Sequence, residues 1–265
     1  MHAFEYHRPS STKDAVSLGE KKDEGRYLAG GQSLVQAMKL RLSSPSDLVD
    51  LNFIKELSGI KASGNGVEIG AMTRHADVAS SPEVKKAIPA LAALAGIIGD
   101  RQVRHMGTMG GSLANSDPAA DYPAAVLALG ATITTNKRKI EADDYFKGLY
   151  ETALEPGELI TSVAFPAPKR AAYMKFKNPA SRFAIVGVFV ADFGGKVRVG
   201  VTGAGPCAFR QADMEKALTA KFAPESVANI KVKPEGLNND LHASPEYRAH
   251  LITVMAKRAV EAALK

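Results

Sequence analysis

Two glycine pairs, Gly30-Gly31 and Gly110-Gly111, stand about 80 residues apart, and each is followed by a serine, Ser33 and Ser112. A glycine pair by itself marks a sharp corner in the chain. Binding chemistry comes from the company these pairs keep: Gln32, Ser33, Thr108, Ser112 and Asn115 surround them with short hydrogen-bonding side chains. Glycine also lets bare backbone amides approach an anion closely. Two such nests suit a ligand carrying two phosphates. Asp117 and Asp121, just beyond the second pair, do not favour phosphate, but a carboxylate accepts hydrogen bonds from sugar or polyol hydroxyls.

Other chemistries fall away on inspection. Gly31-Gln32-Ser33-Leu34-Val35 begins like a hydrolase nucleophile elbow and ends in valine, where that tight turn needs a second glycine. No G-x-x-x-x-G-K-[ST] run offers a phosphate anchor of the P-loop kind. Gly203-Ala204-Gly205-Pro206-Cys207-Ala208 has the spacing of a dinucleotide turn, yet Pro206 removes one of the amides such a turn offers. The six histidines never flank a carboxylate at helical metal-site spacing, so packing or surface roles are expected for them. The single cysteine, Cys207, excludes an internal disulfide and an iron–sulfur cluster held by this chain, so any redox role needs an organic cofactor.

Composition sets the frame. At 45% hydrophobic and 23% charged residues, the 265-residue chain is globular, and its length implies two or three subdomains. The longest apolar stretch, Ile88–Ile98, is interrupted by Pro89 and Gly96 and falls short of the roughly 20 residues of a membrane-spanning helix. The first residues are polar where a secretory signal is apolar, so a cytoplasmic protein is expected. The net charge of +6 is spread in ones and twos, with Lys137-Arg138-Lys139 the densest cluster and no tryptophan for base stacking; nucleic acid is not the expected partner.

The elements that must position these residues follow from punctuation and periodicity. Phe4–Tyr6 reads as a strand, and Ser11–Asp14 as a capping box opening a helix to about Glu20. Residues 26–29 read as a strand, Gly30-Gly31 as a break, and Leu34, Met38 and Leu42 as one helical face before an extended run at 47–51. That is a βαβ unit with its glycine pair at the junction. Ser63-Gly64-Asn65-Gly66 predicts a hairpin turn, Ser81-Pro82-Glu83 a helix start, and Pro89 another. The stretch 107–123, rich in Gly, Ser, Asn, Asp and Pro, reads as a long ordered loop. A helix over 124–129 and strands over 131–135 and 159–165 precede a linker at Pro166-Ala167-Pro168. Three strands, 173–177, 183–191 and 197–201, and helices over 211–222 and 245–264 close the chain as a small α+β domain.

At the motifs the chain resembles a known family. AGGQSL at 29–34 followed by MKLR, TMGGSLANSDPAADYPA at 108–124, KFKNPASRFAIVGV at 175–188 and VTGAGPCAFR at 201–210 together resemble the FAD-binding medium subunit of the molybdenum hydroxylases, which include aerobic carbon monoxide and xanthine dehydrogenases. The resemblance implies an α+β fold: a two-subdomain FAD-binding domain of the vanillyl-alcohol oxidase-like type, over 1–55 and 56–167, and a C-terminal α+β domain over 168–265 that closes over the flavin. It implies non-covalent FAD, with Ala29, Gly30, Gly31, Gln32, Ser33, Leu34, Thr108, Gly110 and Gly111 along the pyrophosphate. Ser112, Asn115 and Asp121 would follow its ribityl and phosphate side, and Lys175 and Phe183 would lie near the ring. Gln32 stands where some relatives have histidine, and Arg182 where some have an acid.

What the resemblance implies for function is electron transfer. A 2Fe-2S small subunit and a molybdopterin large subunit would be separate chains, paired with this one into a dimer of heterotrimers. Electrons would reach FAD through the clusters and leave to an external acceptor. A self-contained FAD-dependent oxidoreductase and a non-catalytic nucleotide-binding module are the rival classes; no acid or base beside the motifs favours the former.

Overall fold

The βαβ unit expected near the N-terminus is present and forms a three-stranded sheet of its own. In the computed structural model, which describes residues 1–20 and 24–265, β1 (Glu5–His7), β2 (Arg26–Leu28) and β3 (Asp47–Asp50) pair in parallel in the order β1-β3-β2. Helix α1 (Thr12–Glu20) starts at the expected box, with the Ser11 hydroxyl accepting from the Asp14 amide at 3.1 Å. Helix α2 (Leu34–Lys39) carries the chain from β2 to β3. Ala15, Val49, Leu51, Ile54 and Leu57 form the core beneath this sheet.

The second sheet is antiparallel: β4 (Ile60–Ser63), β5 (Gly66–Gly70), β6 (Thr132–Thr135) and β7 (Lys139–Glu141), with β10 (Ile160–Phe165) arriving after the hairpin β8 (Phe146–Gly148)–β9 (Glu151–Thr152). The order is β4-β5-β10-β6-β7. The β4–β5 turn falls where expected, with Gly64 at φ +55. Helices α3 (His75–Ser80), α4 (Pro82–Ala87), α5 (Pro89–Gly96), α7 (Met109–Asn115) and α8 (Tyr122–Leu129) and the single turn α9 (Ala142–Tyr145) share the core of this sheet, while α6 (Arg101–Met106) packs on α3. Leu91, Leu94, Met109, Leu113 and Val163 are fully buried there, each contributing about 1.5–3 kcal/mol of burial.

Two expectations need correction. The long loop at 107–123 is not a loop throughout: seven of its residues form α7, and α8 begins at Tyr122. Its composition is poor for helix, but Thr108 caps the first turn and Met109 and Leu113 anchor one face in the core, so tertiary packing overrides propensity. The C-terminal sheet has four strands rather than three: β11 (Arg170–Lys177), β12 (Ala184–Asp192), β13 (Val197–Thr202) and β14 (Phe209–Arg210), all antiparallel. Two residues are too few to leave a period in the sequence.

Every residue of β12 is buried, because both its faces are covered. Phe189 and Ala191 join the middle core, while Val188 and Val190 join a third core. That core is completed by α10 (Ala212–Ala220), α11 (Glu225–Ala228) and α12 (Pro245–Ala263). β13 presses on α8 so closely that a Cβ at Gly200 would meet the Ala124 carbonyl oxygen at 2.1 Å. The basic cluster is answered locally: Arg138 bonds Glu158 at 3.1 Å, and Lys137 reaches Glu155 at 3.4 Å. Among the described residues, no helix is long and apolar enough to cross a membrane.

Candidate cofactor site

The first glycine turn follows directly from β2. Gly31 sits at φ +69, a left-handed conformation that glycine adopts without penalty. At Gly30 a Cβ would stand 2.0 Å from the Met106 carbonyl oxygen, so only glycine fits. Ser33 occupies the N-cap position of α2, but its hydroxyl does not cap the helix. Among the described residues, the amides of Gly31, Gln32 and Ser33 donate to no protein acceptor, and Gln32 and Ser33 are exposed. Three successive free N–H groups at a helix start form a cradle for an anion. Leu34 and Ala29, at its two ends, are half-buried.

The second turn works differently from the expected nest of bare amides. The Met109 amide donates to Thr73 O at 3.0 Å, Gly110 to Ala71 O at 2.7 Å, Gly111 to Thr108 Oγ1 at 3.2 Å and Ser112 to Thr108 O at 3.1 Å. All four are consumed by the fold. Here the glycines permit close approach: a Cβ at Gly110 would meet the Ala71 Cβ at 2.6 Å, and one at Gly111 would meet Thr108 Oγ1 at 2.8 Å and the Ala29 Cβ at 3.4 Å. Gly111 thus seats α7 against the first turn, and the two motifs meet. Ser112 and Asn115, three apart on α7, share one side of the helix and are half-buried.

Asp121 and Lys175 are brought together with each other. Lys175 Nζ lies 2.9 Å from Asp121 Oδ1, Tyr173 Oη donates to the same oxygen at 2.6 Å, and Lys175 also donates to Ile97 O at 3.1 Å. Burial raises the Asp121 carboxyl above its ordinary range, against the pull of Lys175 and Tyr173. Asp117, by contrast, accepts from the Ala119 amide of its own loop at 2.8 Å and from the Tyr150 hydroxyl at 3.4 Å.

Lys175 opens onto a cleft of about 410 Å³ lined by Gly96, Ile97, Gly99, Arg104, Lys177 and Arg182. Arg104, Lys177 and Arg182 line it with no carboxylate among them, while the Lys175 charge is matched by Asp121 behind it, so its wall favours an anionic occupant. Helix α6 links this cleft to the first turn, since it carries both Arg104 and the Met106 carbonyl that faces Gly30. Phe183, half exposed, borders a separate hollow of about 210 Å³ with Pro118, Asn178 and Ser181. Between the two hollows, Arg182 is held at φ +64 by a tight loop in which Asn178 accepts from the amides of Ala180 and Ser181.

Sequence reasoning missed Asn52 and Arg74, whose side chains link the two turns, and His75, buried behind the second turn with its amide donating to Gly107 O at 3.0 Å. None of the three lies in a patterned motif; only their three-dimensional neighbours reveal them.

Residues 2–168 match the family described as FAD binding domain in molybdopterin dehydrogenase. Over nearly its whole length the chain is similar to the carbon monoxide dehydrogenase medium chain of Hydrogenophaga pseudoflava, at 36% identity over 98% of this chain and 96% of that one. It is also similar to the glyceraldehyde dehydrogenase medium chain of Sulfolobus acidocaldarius, at 35% identity over 97% and 96%. Among solved structures, a chain of the reconstituted CO dehydrogenase from Oligotropha carboxidovorans superposes with a TM-score of 0.91 at 35% identity, covering 99% of this chain and 98% of that one.

Proposed function

The chain belongs to the family of FAD binding domains in molybdopterin dehydrogenase, and from that membership we propose that it is the FAD-carrying electron-transfer subunit of a heteromeric molybdenum hydroxylase. The observation that carries the reading is the meeting of the two glycine turns, with Gly111 set against Ala29 and three free amides beside them. When bound, FAD supplies the two-electron chemistry that links one-electron clusters to an external acceptor. The residues of this chain bind and orient it. Gly31, Gln32 and Ser33 donate to the pyrophosphate, with Ala29, Gly30 and Leu34 shaping the turn around them. Thr108, Gly110 and Gly111 supply the opposing wall, and Ser112 and Asn115 supply polar contacts along the ribityl chain. Asp121 holds Lys175 at the cationic cleft, and Phe183 lies on the far side of Arg182.

A single cysteine leaves this chain unable to hold an iron–sulfur cluster, so the clusters and molybdopterin reside in partner chains, a 2Fe-2S small subunit and a large subunit, paired as a dimer of heterotrimers. The division into 1–55, 56–167 and 168–265 and a cytoplasmic location are parts of the same proposal. The relatives' substrates differ, carbon monoxide in one name and glyceraldehyde in another, and no organic substrate is assigned to this chain.

The purified chain should be yellow and release FAD, with no flavin left on the polypeptide, when denatured. Mixed with its partner subunits and their substrate, its flavin should bleach. Released FMN or a covalent adduct would defeat the cofactor reading, and steady substrate turnover by the chain alone, free of partners and molybdenum, would make it a self-contained flavoenzyme.

A further inference from the structure

We propose that Arg74, acting through Asn52, is the positioning residue that fixes the width of the cofactor cradle. The inference rests on the reading of the glycine turns as the pyrophosphate site. Arg74 Nη1 donates to the carbonyls of His105 at 2.8 Å and Met106 at 3.0 Å, and Nη2 donates to Asn52 Oδ1 at 3.1 Å. Asn52 Nδ2 in turn donates to the Ala29 carbonyl at 2.9 Å and to Asp50 Oδ1 at 2.7 Å. Two acceptors on one side of the amide and a donor on the other fix its orientation. An unbroken chain of hydrogen bonds therefore runs from the residue before Gly30 to the carbonyl against which Gly30 packs.

The backbone of Arg74 is fixed as well. It forms a β-bridge with Thr108, the residue that caps α7, while the flanking His75 amide donates to Gly107 O and Thr73 O accepts from Met109. One residue thus touches the first turn through Asn52, the segment before the second turn through its guanidinium, and the cap of α7 through its main chain. Lysine cannot replace it: a single ammonium on a flexible stem cannot bridge two carbonyls and an amide in one plane, as the guanidinium fork does. Because the free amides belong to one turn and the opposing wall to the other, the separation between the turns decides how well a pyrophosphate fits. Arg74 need not touch the ligand to control its affinity; it holds the gap at the bound width before binding and so removes an ordering step.

The test uses the full-length chain. FAD dissociation is measured by flavin fluorescence for wild type, Arg74→Ala, Arg74→Lys, Asn52→Ala and the Arg74→Ala/Asn52→Ala double variant, beside thermal unfolding of each flavin-free chain. Arg74→Ala should weaken FAD about tenfold, because the gap between the turns must then be ordered on binding rather than beforehand. Arg74→Lys should not rescue it, and the double variant should bind about as weakly as Arg74→Ala alone, since both substitutions break the same chain. Flavin-free melting should stay close to wild type, and if it drops, the comparison passes to Asn52→Ala, which removes no charge. Unchanged FAD affinity in Arg74→Ala beside a wild type that binds FAD would overturn the clamp alone, as would rescue by lysine or full additivity of the two losses. A wild-type chain that binds no FAD would overturn the cofactor reading and the clamp with it.

Discussion

Lys175 Nζ and Asp121 Oδ1 stand 2.9 Å apart with their side chains at 3% and 4% exposure, so two residues 54 positions apart form a buried ion pair at the wall of the cationic cleft. Such a pair is costly to break from one side, because the partner is left buried without its counter-charge.

Lys175→Met should accordingly destabilise the flavin-free chain by about 3–5 kcal/mol in denaturant unfolding, whereas Lys175→Met combined with Asp121→Asn should recover much of that loss. Equal losses in the single and double variants would show that the pair is not the source. Flavin phenotypes of Lys175 variants are meaningful only when set against this stability change.

Gly111→Val should strip flavin from the protein while Cys207→Ser leaves it in place. The cause is steric: Gly111 lies inside α7, and a branched side chain there runs into Thr108 Oγ1 and the Ala29 Cβ, prising the two turns apart. Cys207 is half-buried and belongs to neither turn. Flavin content after gel filtration, with circular dichroism to confirm folding, decides the matter; equal occupancy in the two variants removes the second turn from the site.

Acid should loosen the second turn through His75. Burial, with Arg104 nearby, lowers its imidazole from 6.5 to about 4. Between those values the unfolded chain binds a proton that the folded chain refuses, so this contribution to stability is whole above pH 6.5 and fades as pH falls toward 4, by about 3 kcal/mol in all. His75→Gln should flatten that part of the stability profile. A wild-type profile with the same slope as the variant's would show that His75 is not the group responsible.

The sequence was most legible where glycine and proline punctuate it. The break at Gly30-Gly31, the turn at Gly64 and the start at Pro82 fall where expected because each needs a backbone geometry that few residues supply. It was least legible where tertiary contacts decide. α7 exists because Thr108 caps it and Leu113 is buried, not because its residues favour helix. The second glycine pair proved to be a surface of approach rather than a nest, since its amides find carbonyls at Ala71 and Thr73 that no local pattern reveals. The same holds for Arg74 and Asn52, each unremarkable in its own neighbourhood.

The contact of Gly111 with Ala29 joins segments more than eighty residues apart, so no locally folded fragment contains the whole cradle. A chain ending before Thr108 keeps the free amides of the first turn and lacks the wall that faces them. During synthesis the flavin therefore has nothing complete to bind until both segments have left the ribosome and docked. Cofactor loading becomes a late step, and a supply of FAD then acts as a selective trap for chains whose two halves have already closed correctly.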